Sequence, residues 1–174
     1  IRHSKAGDHQ LGGLYRLVGF LLDDGGDADA VVAERASLSG AEGGCQAETG
    51  AAAGMAAGAA TEMLGGTPSQ VGHAVALTMQ GTLGLVCDPL GGLVELPCVF
   101  RNATGSAIAL AGIEMALAGI TFAIPVDEVI DVMGEIGREM DVRYRETAGG
   151  GLAATPTGRR LAKERLYQIK RSEG

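Results

Sequence analysis

Residues Thr49–Met79 read TGAAAGMAAGAATEMLGGTPSQVGHAVALTM. The first half is built from Ala, Met and Leu, with no proline, which predicts a helix over Thr49–Leu64. Gly65-Gly66 ends it. Thr67-Pro68-Ser69-Gln70 then carries the marks of a helix start: Thr as cap, Pro at the first helical position, Gln three after the cap. That second helix is expected to run to about Leu83 and to carry His73. Gly50, Gly54 and Gly58 fall four apart, so one face of the first helix has almost no side chains and another helix can approach closely. In lipid this spacing favours helix pairing, but Glu48 and Glu62 flank a short segment, so close packing inside a bundle is the reading.

Outward from this pair, Gly84–Pro97 reads as a loop with two prolines. Arg101–Gly119 reads as an apolar helix, and a further helix starts at Pro125-Val126-Asp127 and runs to about Met140, with Val129, Ile130, Met133 and Ile136 at helical spacing. YRETAGGGLAATPTG (144–158) reads as loop and Thr157–Lys170 as a final amphipathic helix. Upstream, Leu11–Leu22 reads as helix, DDGGDADA as an acidic turn, Ala28–Arg35 as a short helix and Ser37–Gly44 as a loop leading to Cys45. No stretch alternates with period two for long enough to make a strand. The expectation is a single all-α domain over residues 1–174, compact and helical, with Gly-rich loops that carry the cysteines.

Composition narrows the classes of function. The chain has 174 residues, with 29 Gly and 5 Pro, but the glycines follow no collagen period and mix with apolar residues, which argues for close-packed helices rather than disorder. Aromatics make up 3% and Trp is absent, so stacking platforms for nucleic acid are not supplied. The net charge of −7 is uneven: nine Lys or Arg stand against five Asp or Glu from Arg138 onward, and five against sixteen before it. An acidic body of this kind is a poor nucleic-acid binder; the basic tail reads as a solvated helical face. Ala107–Ile124 is apolar, but Glu114 interrupts it and Gly112 and Gly119 dilute it, so a helix buried in a protein core is expected rather than a membrane span. Three cysteines cannot all pair, and no signal peptide opens the chain, which points to a reducing cytoplasm. Ile1 is not a start methionine, and the chain reads as a piece of a longer one.

The chemistry concentrates in Gly43–Asn102, which holds Cys45, Cys87 and Cys98. Their spacing contains no C-x-x-C knuckle, so a zinc ribbon or finger is disfavoured, and the usual ferredoxin runs are absent. Three readings stay open from spacing alone: small buried hydrophobes, a zinc site that adds His73, or three thiolates on a cubic iron–sulfur cluster. The last would leave one iron without a protein ligand, free to act as a Lewis acid.

Arg101, three residues after Cys98, is the only Lys or Arg between Arg35 and Arg138. A lone guanidinium there suits a bidentate grip on a substrate carboxylate; pairing with Asp88 or Glu95 is the structural alternative. Asn102 adds an amide donor. Glu48 and Asp88, each close to a cysteine, are candidate bases or hydrogen-bond acceptors behind the ligands, and His73 is a further candidate base. The lysines are Lys5, Lys163 and Lys170, so the central region offers none for a Schiff base, which argues against a pyridoxal-phosphate mechanism there.

The segments SLSGAEGGCQAETGAAAGMAA, GLVCDPLGGLVELPCVFRNA and YRETAGGGLAATPTGRRLAKE resemble the alpha chain of the iron–sulfur-dependent L-serine dehydratases, most closely the form with separate alpha and beta chains. The likeness covers Ser37–Glu164; residues 1–36 match loosely. It implies a [4Fe-4S] cluster on Cys45, Cys87 and Cys98, conversion of L-serine to pyruvate and ammonia, a beta-chain partner and an oligomeric, cytoplasmic enzyme of amino-acid degradation and gluconeogenesis. Arg101 and Asn102 become the expected substrate-binding residues. The family's upstream Pro-Thr-x-Gly-Ser/Ala segment is not matched here, since the one Pro-Thr is Pro156-Thr157, and the tail ends in SEG without the cysteine of some single-chain members. The expectation is therefore the C-terminal part of the catalytic domain, with its base unassigned. Two alternatives stand beside it: an L-cysteine desulfidase using the same open iron, and a helical interaction module without a cluster.

Overall fold

A computed structural model describes residues 28–172, with side chains placed from 31 to 165. The helix expected over Leu11–Leu22 lies outside the described residues. Within them the chain is all helix and loop. In order come α1 (Ala28–Arg35), the single turn α2 (Gly40–Gly43), a π-helical turn (Gln46–Gly50), α3 (Ala51–Met63), α4 (Pro68–Met79), α5 (Cys98–Leu117), α6 (Val126–Glu139) and α7 (Pro156–Ser172). Short 3₁₀ turns lie at Gln80–Thr82, Leu90–Gly92, Val142–Tyr144 and Gly151–Ala154. Among the described residues there is no strand, only a parallel bridge between Cys87 and Arg145.

Helix α4 is the centre. From Val71 to Met79 every residue except His73 is buried, as expected of a helix surrounded by others. One side of it, through Val75, Ala76 and Met79, joins Val32, Ala51, Val126, Val129, Ile130 and Met133 in one core cluster. Its other side, through Ala74 and Leu77, packs with Ala53, Ala57, Ala109, Ile113 and Ala116 of α3 and α5 in a second. Phe122 touches both clusters.

Small residues set how closely these helices meet. A Cβ on Gly54 would lie 2.6 Å from Met79 Cγ, and one on Gly112 would lie 2.1 Å from Thr78 Oγ1 and 3.0 Å from the Ala74 carbonyl. The glycine face foreseen on α3 is thus where α4 lies. At the start of α4, Thr67 Oγ1 accepts from Gln70 N, while Gln70 Oε1 accepts from Thr67 N at 2.9 Å, completing the expected capping box. Gln70 Nε2 also donates to the Ala116 carbonyl at 3.0 Å, which ties this turn to the end of α5.

Several boundaries differ from expectation. Helix α4 ends at Met79 rather than at about Leu83, and the 3₁₀ turn Gln80–Thr82 follows it. The helix expected from Thr49 begins earlier, because Gln46–Gly50 winds as a π-turn continuous with α3. Buried Gln46 holds that turn: its Nε2 donates to the Met133 carbonyl at 2.9 Å, its Oε1 accepts from Gly84 N at 2.9 Å, and its backbone N–H donates to the Leu85 carbonyl at 2.9 Å. Helix α5 starts at Cys98 rather than Arg101, since the Glu95 carbonyl accepts from Val99 N and the Pro97 carbonyl from Phe100 N and Arg101 N. The stretch read as loop before Cys45 contains the turn α2.

Candidate metal centre

Three separate segments carry the cysteines; Cys45 and Cys87 come together, while Cys98 is near enough to feel their charge but stands outside their close group. Cys45 enters the π-turn, Cys98 opens α5, and Cys87 lies in the loop between α4 and α5. That loop is pinned to the segment after α6: Cys87 N donates to the Tyr144 carbonyl and Glu146 N to the Cys87 carbonyl, each at 2.8 Å. All three thiols are free and buried. Cys45 Sγ, Cys87 Sγ and a carboxylate oxygen of Glu48 lie within 4.8 Å of one another.

Gly40 leaves the space they share. A Cβ there would stand 2.6 Å from the Glu48 carboxylate, 3.1 Å from Cys87 Sγ and 3.5 Å from the Glu146 carboxylate. Glu146 is the functional candidate that sequence reasoning missed. It adopts φ +62°, an uncommon conformation for a residue with a side chain, and its carboxylate reaches the group that contains Cys87 and Glu48. The available signal was its place in YRETAGGG, beside a glycine run; its separation from Cys87 along the chain gave none.

Burial and neighbouring negative charge shape the ionisation of this group. Burial, followed by the charges of Cys45, Glu146, Glu48 and Cys98, pushes the Cys87 thiol up to about 12. Burial and the charges of Cys45 and Glu48 likewise raise Cys98, with Arg101 opposing them. The Glu48 carboxyl is raised by desolvation and then by Glu146, although its side chain reaches solvent. Metal-free, these shifts favour the protonated thiol at Cys87 and Cys98; a bound metal ion inverts that preference, because it binds the thiolate.

Around the thiols sit the polar candidates. Arg101 Nη1 donates to Asp88 Oδ1 at 2.5 Å and to the Val86 carbonyl at 2.9 Å. Burial lowers the Arg101 pKa, but hydrogen bonding and charge from Asp88, then Cys45, raise it overall. Thr49 Oγ1 lies 3.6 Å from Cys45 Sγ and donates to Asn102 Oδ1 at 3.3 Å. Beside Thr49 and Arg101 opens a cavity of about 380 Å³, whose wall also includes Thr82, Leu85 and Ile108. His73 stands apart: its Nδ1 accepts from Phe122 N at 3.4 Å, and it does not join the Cys45, Glu48 and Cys87 group. Asp88 is a buried acceptor bound to Arg101 and to Leu152 N rather than an open carboxylate.

Among the described residues, no helix is long and apolar enough to cross a membrane. A family model described as serine dehydratase alpha chain matches residues 26–153, well over half of the chain. The chain is 62% identical over 134 residues to the probable L-serine dehydratase alpha chain of Bacillus subtilis, covering 77% of this chain and 45% of that one. It is 49% identical over 150 residues to the L-serine dehydratase alpha chain of Peptoniphilus asaccharolyticus, covering 86% and 51%. To the probable alpha chain from Latilactobacillus sakei it is 56% identical over 128 residues, covering 74% and 61%. The chain therefore spans about half the length of the curated relatives it matches.

Proposed function

The chain belongs to the serine dehydratase alpha-chain family, and from that premise we propose that it is the cluster-bearing helical part of an L-serine ammonia-lyase. The reaction takes L-serine to pyruvate and ammonia, in a cytoplasmic oligomer completed by a beta chain. One observation carries the reading: among three free, buried cysteines, Cys45 and Cys87 come within 4.8 Å of each other and of the Glu48 carboxylate, in a space that Gly40 leaves open.

The donor set fits a [4Fe-4S] cluster. Three thiols are available, a fourth cysteine is absent from the sequence, and Gly40 keeps the shared space clear of a side chain. Cys45, Cys87 and Cys98 would hold it. When bound, such a cluster supplies a Lewis-acidic iron for the substrate hydroxyl that is to leave. Lysine is absent from the described segments around the site, consistent with a reaction that needs no pyridoxal phosphate.

The protein's own groups orient the amino acid. Arg101 binds the carboxylate of serine through the guanidinium fork. Asn102 contributes a side-chain amide at the same end of α5, and its link through Thr49 to Cys45 keeps it in register with the thiols. Glu48 is the base in this reading, which its approach to both Cys45 and Cys87 supports. Apolar Leu85 and Ile108 line the adjacent cavity and limit water around the bound substrate. The enamine that results tautomerises and hydrolyses without help from the chain.

Alanine at Cys45, Cys87 or Cys98 tests this directly in the full enzyme. Each is expected to abolish iron retention and turnover together, because three thiolates are the minimum for the site. A Cys87→Ala enzyme that keeps its iron and its rate would overturn the assignment.

A further inference from the structure

Asp88 is the one carboxylate among the described residues that is fully buried. Its two oxygens serve two different segments. Oδ1 accepts from Arg101 Nη1 on α5 at 2.5 Å, and Oδ2 accepts from Leu152 N at 2.5 Å. Gly151 makes the second contact possible: it sits at φ +57°, and a Cβ there would lie 2.1 Å from Asp88 Oδ2. A side chain at position 151 would therefore push the loop away from the carboxylate. One residue next to Cys87 thus joins the helix opened by Cys98 to the loop at Gly150–Leu152.

This geometry separates the roles of Asp88 and Arg101. A general base needs an oxygen within reach of the substrate proton, whereas both Asp88 oxygens are occupied and its side chain is only 2% exposed. Arg101 is 17% exposed at its side chain and lines the 380 Å³ cavity. Its bonds to Asp88 and Val86 both use Nη1, so the clamp engages one of the guanidinium's three nitrogens.

We propose that Asp88 is a positioning residue, which clamps Arg101 and the Gly150–Leu152 loop together so that the guanidinium meets the substrate carboxylate at the cavity wall, while Asp88 itself touches no substrate. This rests on the assignment of Arg101 as the carboxylate's cation. An uncharged amide at position 88 has one acceptor oxygen for two donors and no charge to hold the guanidinium, so the clamp loosens on both sides.

The test is steady-state kinetics of the full, cluster-loaded enzyme with L-serine, using Asp88→Asn, Asp88→Glu, Gly151→Ala, Arg101→Ala and the Asp88→Asn/Arg101→Ala double variant. Iron content and visible spectrum are measured on each. Asp88→Asn is expected to raise KM about tenfold, the loss of one charge-assisted hydrogen bond's worth of positioning, with kcat, iron and spectrum little altered. Asp88→Glu recovers part of the loss. Gly151→Ala shifts KM in the same direction without altering Asp88, and it decides the matter if Asp88→Asn does not fold. The double variant is no worse than Arg101→Ala alone, because Asp88 acts through Arg101. Additive losses, or a collapse of kcat at constant KM in Asp88→Asn, would overturn the clamp. A raised KM in Arg101→Ala with a normal KM in Asp88→Asn and Gly151→Ala overturns the positioning claim alone. An unaltered KM in Arg101→Ala overturns the carboxylate assignment, and the role of Asp88 with it.

Discussion

Glu48 carries a measurable signature of its surroundings. Its carboxyl is raised in the folded, metal-free chain by desolvation and by Glu146. A carboxyl so raised binds its proton more tightly folded than unfolded, so its contribution to stability is present below the unfolded pKa and lost as pH rises through the folded one. Glu48→Gln, which mimics the protonated form, is therefore expected to raise the midpoint of thermal unfolding at pH 7 and to leave it unchanged near pH 3. The comparison of melting curves at the two pH values checks this; an equal shift at both would point to packing instead. Cys87 gives a second test. With its thiol pushed up to about 12, the metal-free chain should alkylate there far more slowly at pH 8 than after unfolding, as mass spectrometry of the labelled peptide would show. The three cysteines, Glu48 and Arg101 were legible as chemistry because each residue type is scarce or pointed in its stretch. Glu146 was not, since its approach to Cys87 is made by backbone hydrogen bonds between distant segments. The fate of Asp88 was legible only as one of two options, because burial decides between an open base and an ion-pair acceptor.

Local signals predicted helices well where their own residues decide them. Thr67-Pro68-Ser69-Gln70 begins α4 as read, because the capping box closes within four residues. Thr67→Ala should lower stability by about 1 kcal/mol in denaturant unfolding, the usual cost of a lost cap. The close approach of α4 and α5 predicts a larger effect at Gly112. A methyl there meets Thr78 Oγ1 and the backbone carbonyl of Ala74, and backbone cannot step aside as a flexible side chain does. Gly112→Ala is expected to cost about 1–3 kcal/mol, despite alanine's better helix propensity; a gain in stability would contradict the packing described. The π-turn at Gln46–Gly50 was not legible, because the groups that hold Gln46 are the Met133 carbonyl and Gly84 N, far along the chain. That turn is nevertheless what brings Cys45, Glu48 and Thr49 to the site, and π-turns are frequent at functional positions.

At the scale of the whole molecule, a core of alanine, valine and methionine surrounds α4, and the cysteines lie at two helix starts, Cys45 and Cys98, and in the loop after α4, Cys87. The all-α class was legible because no segment alternates with period two. The approach of Cys45 to Cys87 was not derivable from their spacing; only the family resemblance implied it, and the fold supplies the physical route through Gln46 and the Cys87–Arg145 bridge. The central claim is that these thiols hold a cluster with an iron open to serine. Anaerobic reconstitution with iron and sulfide tests it most directly, followed by visible absorbance, iron and sulfide analysis, and addition of L-serine. The account predicts about four irons per chain, with a spectral change on adding L-serine that L-alanine, lacking the hydroxyl, does not reproduce. A colourless protein with three titratable thiols and no retained iron would contradict it.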